Sequence, residues 1–308
     1  MKIGLSIAEP PPGADVLGVL AETLQLAHDD GFASAWMANI FGLDALTALA
    51  VAGSRVPGIE LGTAVVPTYP RHPGALAQQA LTVQAAVGGR LALGIGLSHQ
   101  VVIEGMYGLS FDKPARHMRE YLDALLPLLR TGAVDVSGET ITCRMALSRA
   151  SEREVPVYLA AMAPRMLHLA GAVADGTILW MTGPATIESH VVPKLSEAAA
   201  GADRPAPRVV CVLPVAVTDD PEGSRTFANR AFRIYNDLPS YRAMLDLEGA
   251  DGPGDVAIVG DEDAVGEQIE ALASIGVTDF VAGAFATGDD AERTRSLLSS
   301  LAHEANAA

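Results

Sequence analysis

The chain has 308 residues, of which 49% are hydrophobic and 19% charged, so it can bury a large core as one large or two ordinary domains and is not a disordered protein. Its formal net charge of −16 at pH 7 argues against binding to nucleic acid or to an anionic membrane. The two cysteines, Cys143 and Cys211, give no disulfide framework and no metal-binding spacing, which favours a reducing compartment.

The N-terminal part predicts a strand over 2–8, a helix, and a second strand over 32–38. The first apolar run, before Glu9, is too short for a signal peptide, and no run approaches 18 apolar residues. We therefore expect a cytoplasmic protein without a membrane span. The helix ends at Asp30-Gly31, and the same junction of helix, glycine and strand recurs at Asp175-Gly176 and Ile275-Gly276. This junction is typical of parallel α/β folds.

The segment 61–99 predicts a strand, a loop, a helix and a strand, and both strands are apolar on both faces, as in a covered parallel sheet. Polar and special-backbone residues follow each strand: Thr68, Tyr69, Arg71 and His72 after the first, and Ser98, His99 and Gln100 after the second. Parallel α/β folds build their sites beyond the carboxyl ends of the strands. We therefore expect the functional site here.

The remaining chain continues the alternation, with strands over 155–161, 177–180, 208–217 and near 280–284. A small hairpin insertion is predicted at about 133–144 and a helical and loop insertion at about 219–256. About eight strands alternating with helices predict a single-domain (β/α)8 TIM barrel over 1–308 with small insertions. The alternative, a doubly wound dinucleotide fold, is disfavoured because His99 stands where its fingerprint needs a third glycine.

Several residues at the predicted barrel mouth suit ligand binding. His99 follows a Gly-x-Gly strand end where a flat ligand can approach the backbone, although a lone histidine is more often structural. Ala161–Ala163 leads into a helix N-terminus that would attract an anion, with Arg165 as an added donor. Trp36 and Trp180 lie at strand ends and either wall an apolar pocket or belong to the core. Asp44 is interpreted as a helix cap, and His117 as a surface or packing residue.

Other barrel chemistries lack their residues. The three lysines lie away from predicted strand ends, which disfavours Schiff-base chemistry, and no His-x-His occurs on the first strand, so no metal site is expected. No pair of strand-end carboxylates supports a glycosidase. A neutral mouth lined by glycine and alanine suits a cofactor that brings its own reactivity.

Four segments together resemble the bacterial luciferase-like flavin and deazaflavin oxidoreductases, most closely the branch that uses coenzyme F420. They are LGTAVVPTYPRHP with the AQQALTVQ helix, RLALGIGLSH, VPVYLAAMAPRMLHLAG and ADGTILWMTGP, in this order. The resemblance covers nearly the whole chain. It implies a luciferase-like TIM barrel and hydride transfer between the deazaflavin and a small organic substrate.

The resemblance also implies site residues. A non-proline cis peptide is expected at Ala64-Val65, behind the deazaflavin ring, with Thr68 near the ring. The other cofactor contacts implied are Gly96, Ser98, His99, Ala161, Met162 and Ala163. We place Ile7, Trp180 and Met181 in the substrate pocket.

Asn39 stands where several related dehydrogenases have an acid/base histidine, and it is the candidate catalytic residue. Asparagine can orient or polarise a substrate but cannot accept its proton. The chain is therefore interpreted as an F420-dependent reductase. The alternatives are an FMN-dependent luciferase-like monooxygenase, a non-catalytic deazaflavin- or flavin-binding barrel, and an unrelated cofactor-free barrel enzyme. The composition allows a homodimer without requiring one.

Overall fold

The computed structural model describes residues 1–13, 15–148 and 153–307. The strands are β1 (Lys2–Ile7), β2 (Ser34–Met37), β3 (Glu60–Thr63), β4 (Val66–Pro67), β5 (Leu91–Gly96), β6 (Ala133–Ser137), β7 (Thr142–Ala146), β8 (Val157–Leu159), β9 (Gly176–Trp180), β10 (Arg208–Val217), β11 (Ile258–Gly260) and β12 (Asp279–Ala284).

The α-helices are α1 (Val16–Asp29), α2 (Ala45–Gly53), α3 (Pro73–Ala86), α4 (Gln100–Gly105), α5 (Pro114–Arg130), α6 (Pro164–Val173), α7 (Pro184–Thr186), α8 (Val192–Gly201), α9 (Pro221–Ala231), α10 (Ile234–Asp237), α11 (Pro239–Glu248), α12 (Glu262–Ser274) and α13 (Asp289–Ala307). A π-helical turn spans Ile187–Val191 and a 3₁₀ turn spans Pro253–Asp255. None of the helices described is both long and apolar enough to cross a membrane.

Eight parallel strands close into a barrel in the order β1, β2, β3, β5, β8, β9, β10 and β12. The ring closes because β12 pairs with β1 while β10 pairs with both β9 and β12. The predicted TIM barrel is therefore confirmed and the doubly wound alternative is excluded. The short strand β4 pairs with the last two residues of β5, at the carboxyl-terminal end of the barrel.

Three further strands lie outside this ring. The strands β6 and β7 form an antiparallel hairpin, and β11 pairs with β10. The sequence did not predict β11, because three residues are too few to show an alternating pattern. The helices α9–α11 lie between β10 and β11. The division of the chain into one domain with two insertions stays a prediction.

Side chains fill the barrel interior, so it is not a pore. Trp36, Tyr158 and Val210 belong to one buried cluster, together with Ala92, Ile178, Val212 and Val281. The Trp36 indole donates to Ser34 Oγ at 2.9 Å, and its ring meets the Tyr158 ring edge-to-face at 5.9 Å. Alternate residues of the same strands face outward and pack under the helices. Trp36 is thus a core residue, one of the two roles left open for it.

A charged cluster closes the amino-terminal end of the barrel. Arg208, the first residue of β10, donates to Asp279 at 3.0 Å, to Glu60 at 2.9 Å and to the Tyr158 hydroxyl at 2.7 Å. Hydrogen bonds to the two carboxylates outweigh the effect of burial and raise the pKa of Arg208 above its ordinary value. Because ion pairs occupy this end, the barrel interior can open to a ligand at the carboxyl ends of the strands.

We expect Gly62→Ala to destabilise the fold. A methyl group at Gly62 would overlap the ring of Trp36, and overpacking of this kind costs about 1–3 kcal/mol. Gly266→Ala is the control, because Gly266 lies within α12 with nothing near its missing Cβ, and a helical alanine there should stabilise by about 0.5–1 kcal/mol. Urea unfolding measures both. Equal stability of Gly62→Ala and the unaltered protein would show that the interior is looser than described.

Candidate functional site

Four half-buried residues form the floor of the barrel mouth, at the carboxyl ends of their strands. They are Ala64, Val65, Ala160 and Trp180, and all pack on the interior cluster around Trp36. The Ala64-Val65 peptide is cis, as the resemblance implies. None of the four side chains is ionisable. The floor therefore offers an apolar, uncharged surface at the mouth.

Gly96 supports this floor from β5. A Cβ at Gly96 would stand 2.7 Å from Val65 Cγ2 and 3.2 Å from the Cβ of Ala160, which is closer than side chains normally approach. Any larger residue would therefore push Val65 out of place. Gly96 itself is buried, so its contribution is to position the floor rather than to offer a side chain.

Ser98 and His99 follow β5 at the rim of the mouth, and both are half-buried. Ser98 has a left-handed backbone, with φ of 61°, and His99 precedes the first residue of α4. The His99 ring lies 5.7 Å from the ring of Tyr241, which belongs to α11. Burial lowers the pKa of His99 below its ordinary value, so the imidazole is neutral at pH 7.

The turn after β8 leads into a second concave region. Met162 and Ala163 line a cavity of about 510 Å³ between the start of α6 and α11. His190 lies with Nε2 2.8 Å from the carbonyl oxygen of Met162 and so helps to fix this turn. Arg165 is exposed in the first turn of α6, where no side-chain cap covers the helix end. The turn thus offers a cationic side chain and open backbone beside the mouth.

Three other residues predicted near a ligand are buried. Thr68 is fully buried, and its hydroxyl is 3.1 Å from His117 Nε2; its expected position beside the ring stays a prediction. Ile7 and Met181 are also buried and pack in the core between strands and helices. Side chains alternate along a strand, so Trp180 faces the barrel interior and the next residue, Met181, faces the helices. Their assignment to the substrate pocket stays a prediction.

Ala161 has no exposed surface, and its carbonyl oxygen accepts from Thr177 Oγ1 at 3.2 Å. Its side chain packs in the core between the strands and the helices, so Ala161 holds the turn after β8 in place. Met162 and Ala163 are the residues of this turn that reach the cavity.

Asn39 lies at the rim after β2 and helps to begin α2. Its Oδ1 accepts from the Ala45 amide at 3.0 Å, while Asp44 accepts from the Thr47 amide at 2.9 Å. The capping role predicted for Asp44 is confirmed, and Asp44 also pairs with Arg71. The N–H groups of its amide have no hydrogen-bond partner among the described residues, so Asn39 can offer them to a substrate. Its catalytic role stays a prediction.

An aromatic stack behind the loop after β4 was missed by sequence reasoning. The Tyr69 ring stacks on the His117 ring with centroids 3.9 Å apart. The Phe111 ring also stacks on Tyr69, with centroids 5.2 Å apart. Burial lowers the pKa of His117 to about 4. A usable signal existed, because His117 and Tyr121 are one turn apart on the apolar face of α5. The stack holds the loop that contains Thr68 and Arg71, since the Tyr121 hydroxyl also donates to the Arg71 carbonyl at 2.9 Å.

Comparison with known proteins identifies the family. The family model described as luciferase-like monooxygenase matches residues 2–279. This chain belongs to the luciferase-like monooxygenase family.

Two relatives and one solved structure illustrate the similarity. A Mycobacterium tuberculosis protein named as a coenzyme F420-dependent oxidoreductase is 34% identical over 194 residues. The match covers 57% of this chain and 54%, about half, of that relative. The 5,10-methylenetetrahydromethanopterin reductase of Methanopyrus kandleri is 27% identical over 91% of this chain and 92% of that protein. The structure of the coenzyme F420-dependent tetrahydromethanopterin reductase from that organism superposes with a TM-score of 0.79 at 23% identity, covering 97% of each chain. The predicted family is confirmed.

The position of His117 predicts a pH-dependent stability. Its pKa of about 4 in the folded protein lies below the ordinary 6.5, so the unfolded chain binds a proton that the folded protein excludes. The free energy of unfolding should therefore fall by up to about 3 kcal/mol as the pH drops from about 7 to about 4. In urea unfolding between pH 4.5 and 7.5, the free energy of unfolding should depend less steeply on pH for His117→Gln than for the unaltered protein. Parallel slopes for the two proteins would contradict the neutral buried histidine.

Proposed function

We propose that this chain is an F420-dependent reductase that delivers hydride to a small organic substrate with an activated double bond. The observation that carries the proposal is the apolar, uncharged floor of the mouth at Ala64, Val65 and Ala160, which suits one face of a flat ring. Relatives along 57% and 91% of the chain are named for F420-dependent oxidoreduction and for reduction of a pterin substrate.

The residues present fit such a cofactor. Ala64 and Val65 would support one ring face, and the backbone around Ser98 and the neutral imidazole of His99 would contact the ring edge. Met162, Ala163 and Arg165 would hold the anionic side chain of the cofactor, because Arg165 is cationic and the start of α6 favours negative charge. When bound, the deazaflavin supplies the hydride; the protein supplies position and exclusion of water.

The reductive direction rests on Asn39. An amide is not basic enough to take a proton from an alcohol, and the Asn39 oxygen in addition accepts a hydrogen bond from the Ala45 amide. Its amide N–H groups can still polarise a carbonyl or imine. The proton for the reduced product would then come from water or from the substrate. A cytoplasmic location and a homodimer stay predictions.

Titration with F420 tests the proposal directly. We expect saturable quenching of F420 fluorescence by the protein and no comparable affinity for FMN. Tight FMN binding without an effect of F420 would instead support a flavin monooxygenase. F420 binding without hydride turnover across a broad panel of activated alkenes, imines and carbonyls would support a non-catalytic carrier.

His99→Ala and Arg165→Ala should each weaken F420 binding by about 2- to 10-fold, the range expected for one hydrogen bond. Neither should change the melting temperature appreciably, because both side chains lie at the rim. Arg130→Ala is the control, since Arg130 is equally exposed but ends α5 at the opposite end of the barrel. A variant that mainly unfolds the protein would reveal a structural residue instead of a ligand contact.

A further inference from the structure

Five aromatic side chains form a continuous wall on one side of the mouth. Trp180 meets Phe232 and Tyr235 edge-to-face, each at 5.7 Å, and Tyr235 meets Tyr241 at 4.9 Å. Phe232 meets Phe285 at 6.1 Å, which completes what we call the aromatic wall: Trp180, Phe232, Tyr235, Tyr241 and Phe285. The wall holds one of the two tryptophans and two of the six tyrosines of a chain with only 5% aromatic residues.

The wall differs from the aromatic core of the barrel. Trp36, Tyr158 and Phe280 are at most 1% exposed, whereas every ring of the aromatic wall is only half-buried. Trp180 belongs both to the wall and to the floor, where it packs on the interior cluster beside Ala64 and Val65. Ring surface that is left open next to the floor is available to a molecule in the mouth.

The wall is fixed in place without a ligand. Arg242 of α11 donates to Asn236 Oδ1 at 2.6 Å and to the Ala250 carbonyl at 2.6 Å, which ties α10 and α11 together. Glu248 at the end of α11 accepts from the Thr186 amide at 2.7 Å, which ties α11 to the segment after β9. A surface held by its own hydrogen bonds loses little conformational freedom on binding.

The wall carries no charge. Burial raises the pKa of both Tyr235 and Tyr241 above the ordinary value of 10.0, so both phenols stay protonated. In the described ranges the one cation placed over an aromatic ring is Arg208 over Tyr158, at the other end of the barrel. The Trp180 N–H is buried with no acceptor at hydrogen-bonding distance among the described residues, and its polar neighbour is Tyr235. None of the five wall side chains carries a charge that would pair with an ionic ligand.

We propose that the aromatic wall selects planar, uncharged, conjugated rings as the substrates of this protein. Such a ring can stack against Phe232 and Tyr235 and lie beside the cofactor ring on the floor. A saturated ring is puckered and makes fewer contacts with the same faces. This substrate class rests on the proposed function, in which the floor holds the cofactor and the wall faces it.

Calorimetric titration with 2-naphthol and its saturated counterpart 2-decalol tests the proposal. The unaltered protein should bind 2-naphthol more tightly. Phe232→Leu and Tyr235→Leu keep apolar bulk but remove the ring, so each should weaken 2-naphthol binding by about 2- to 12-fold and leave 2-decalol within 2-fold. Tyr235→Phe should restore the preference. Tyr107→Leu is the control, because Tyr107 is 43% exposed and takes no part in the wall.

Equal affinities for the two compounds, no binding of 2-naphthol, or a preference unchanged in both leucine variants would overturn the proposal. The titration is repeated with saturating F420. Persistent 2-naphthol binding supports separate places for ring and cofactor, whereas displacement by F420 would show that the wall holds the cofactor and would also overturn the proposal. A protein that ignores F420 but keeps the ring preference contradicts the proposed function alone.

Discussion

Closure of the eight-stranded ring is the constraint on which the rest of this structure depends. Once β9 and β10 pair, the interior must be filled, and Trp36 and Tyr158 fill it. Arg208 then closes the amino-terminal end with two carboxylates, and such a buried network is costly to break. The carboxyl-terminal end alone can stay open. Its location follows from the packing of the barrel and does not depend on the ligand.

The alternation of side chains along each strand decides which residues reach this mouth. Ala160 and Trp180 continue the interior face of β8 and β9, and Ala64 and Val65, which lie between β3 and β4, meet them on one floor. Ala161 and Met181 each follow a floor residue by one position and are buried in the core between the strands and the helices instead. A change of one residue in the register of β8 or β9 would exchange these neighbours. The uncharged character of the floor thus depends on register as much as on composition.

Much of this arrangement was predictable from the sequence, because its signals are local. The recurring junction of helix, glycine and strand, together with strands that are apolar on both faces, predicted the barrel. The segments that resemble the luciferase-like family predicted the cis peptide at Ala64-Val65. The contact of Thr68 with His117 was not predictable in this way, because the two residues are 49 positions apart. The aromatic wall was missed for the same reason: Trp180, Phe232 and Phe285 come from three distant segments that only the closed barrel brings together.

A crystal structure of the protein soaked with F420 tests the central claim most directly, that the neutral floor of the mouth holds a redox ring. The account predicts density for the ring against Ala64 and Val65, with its side chain directed toward Met162 and Arg165. Density for the ring in any other place, or a floor that stays bare at saturating F420, would contradict it.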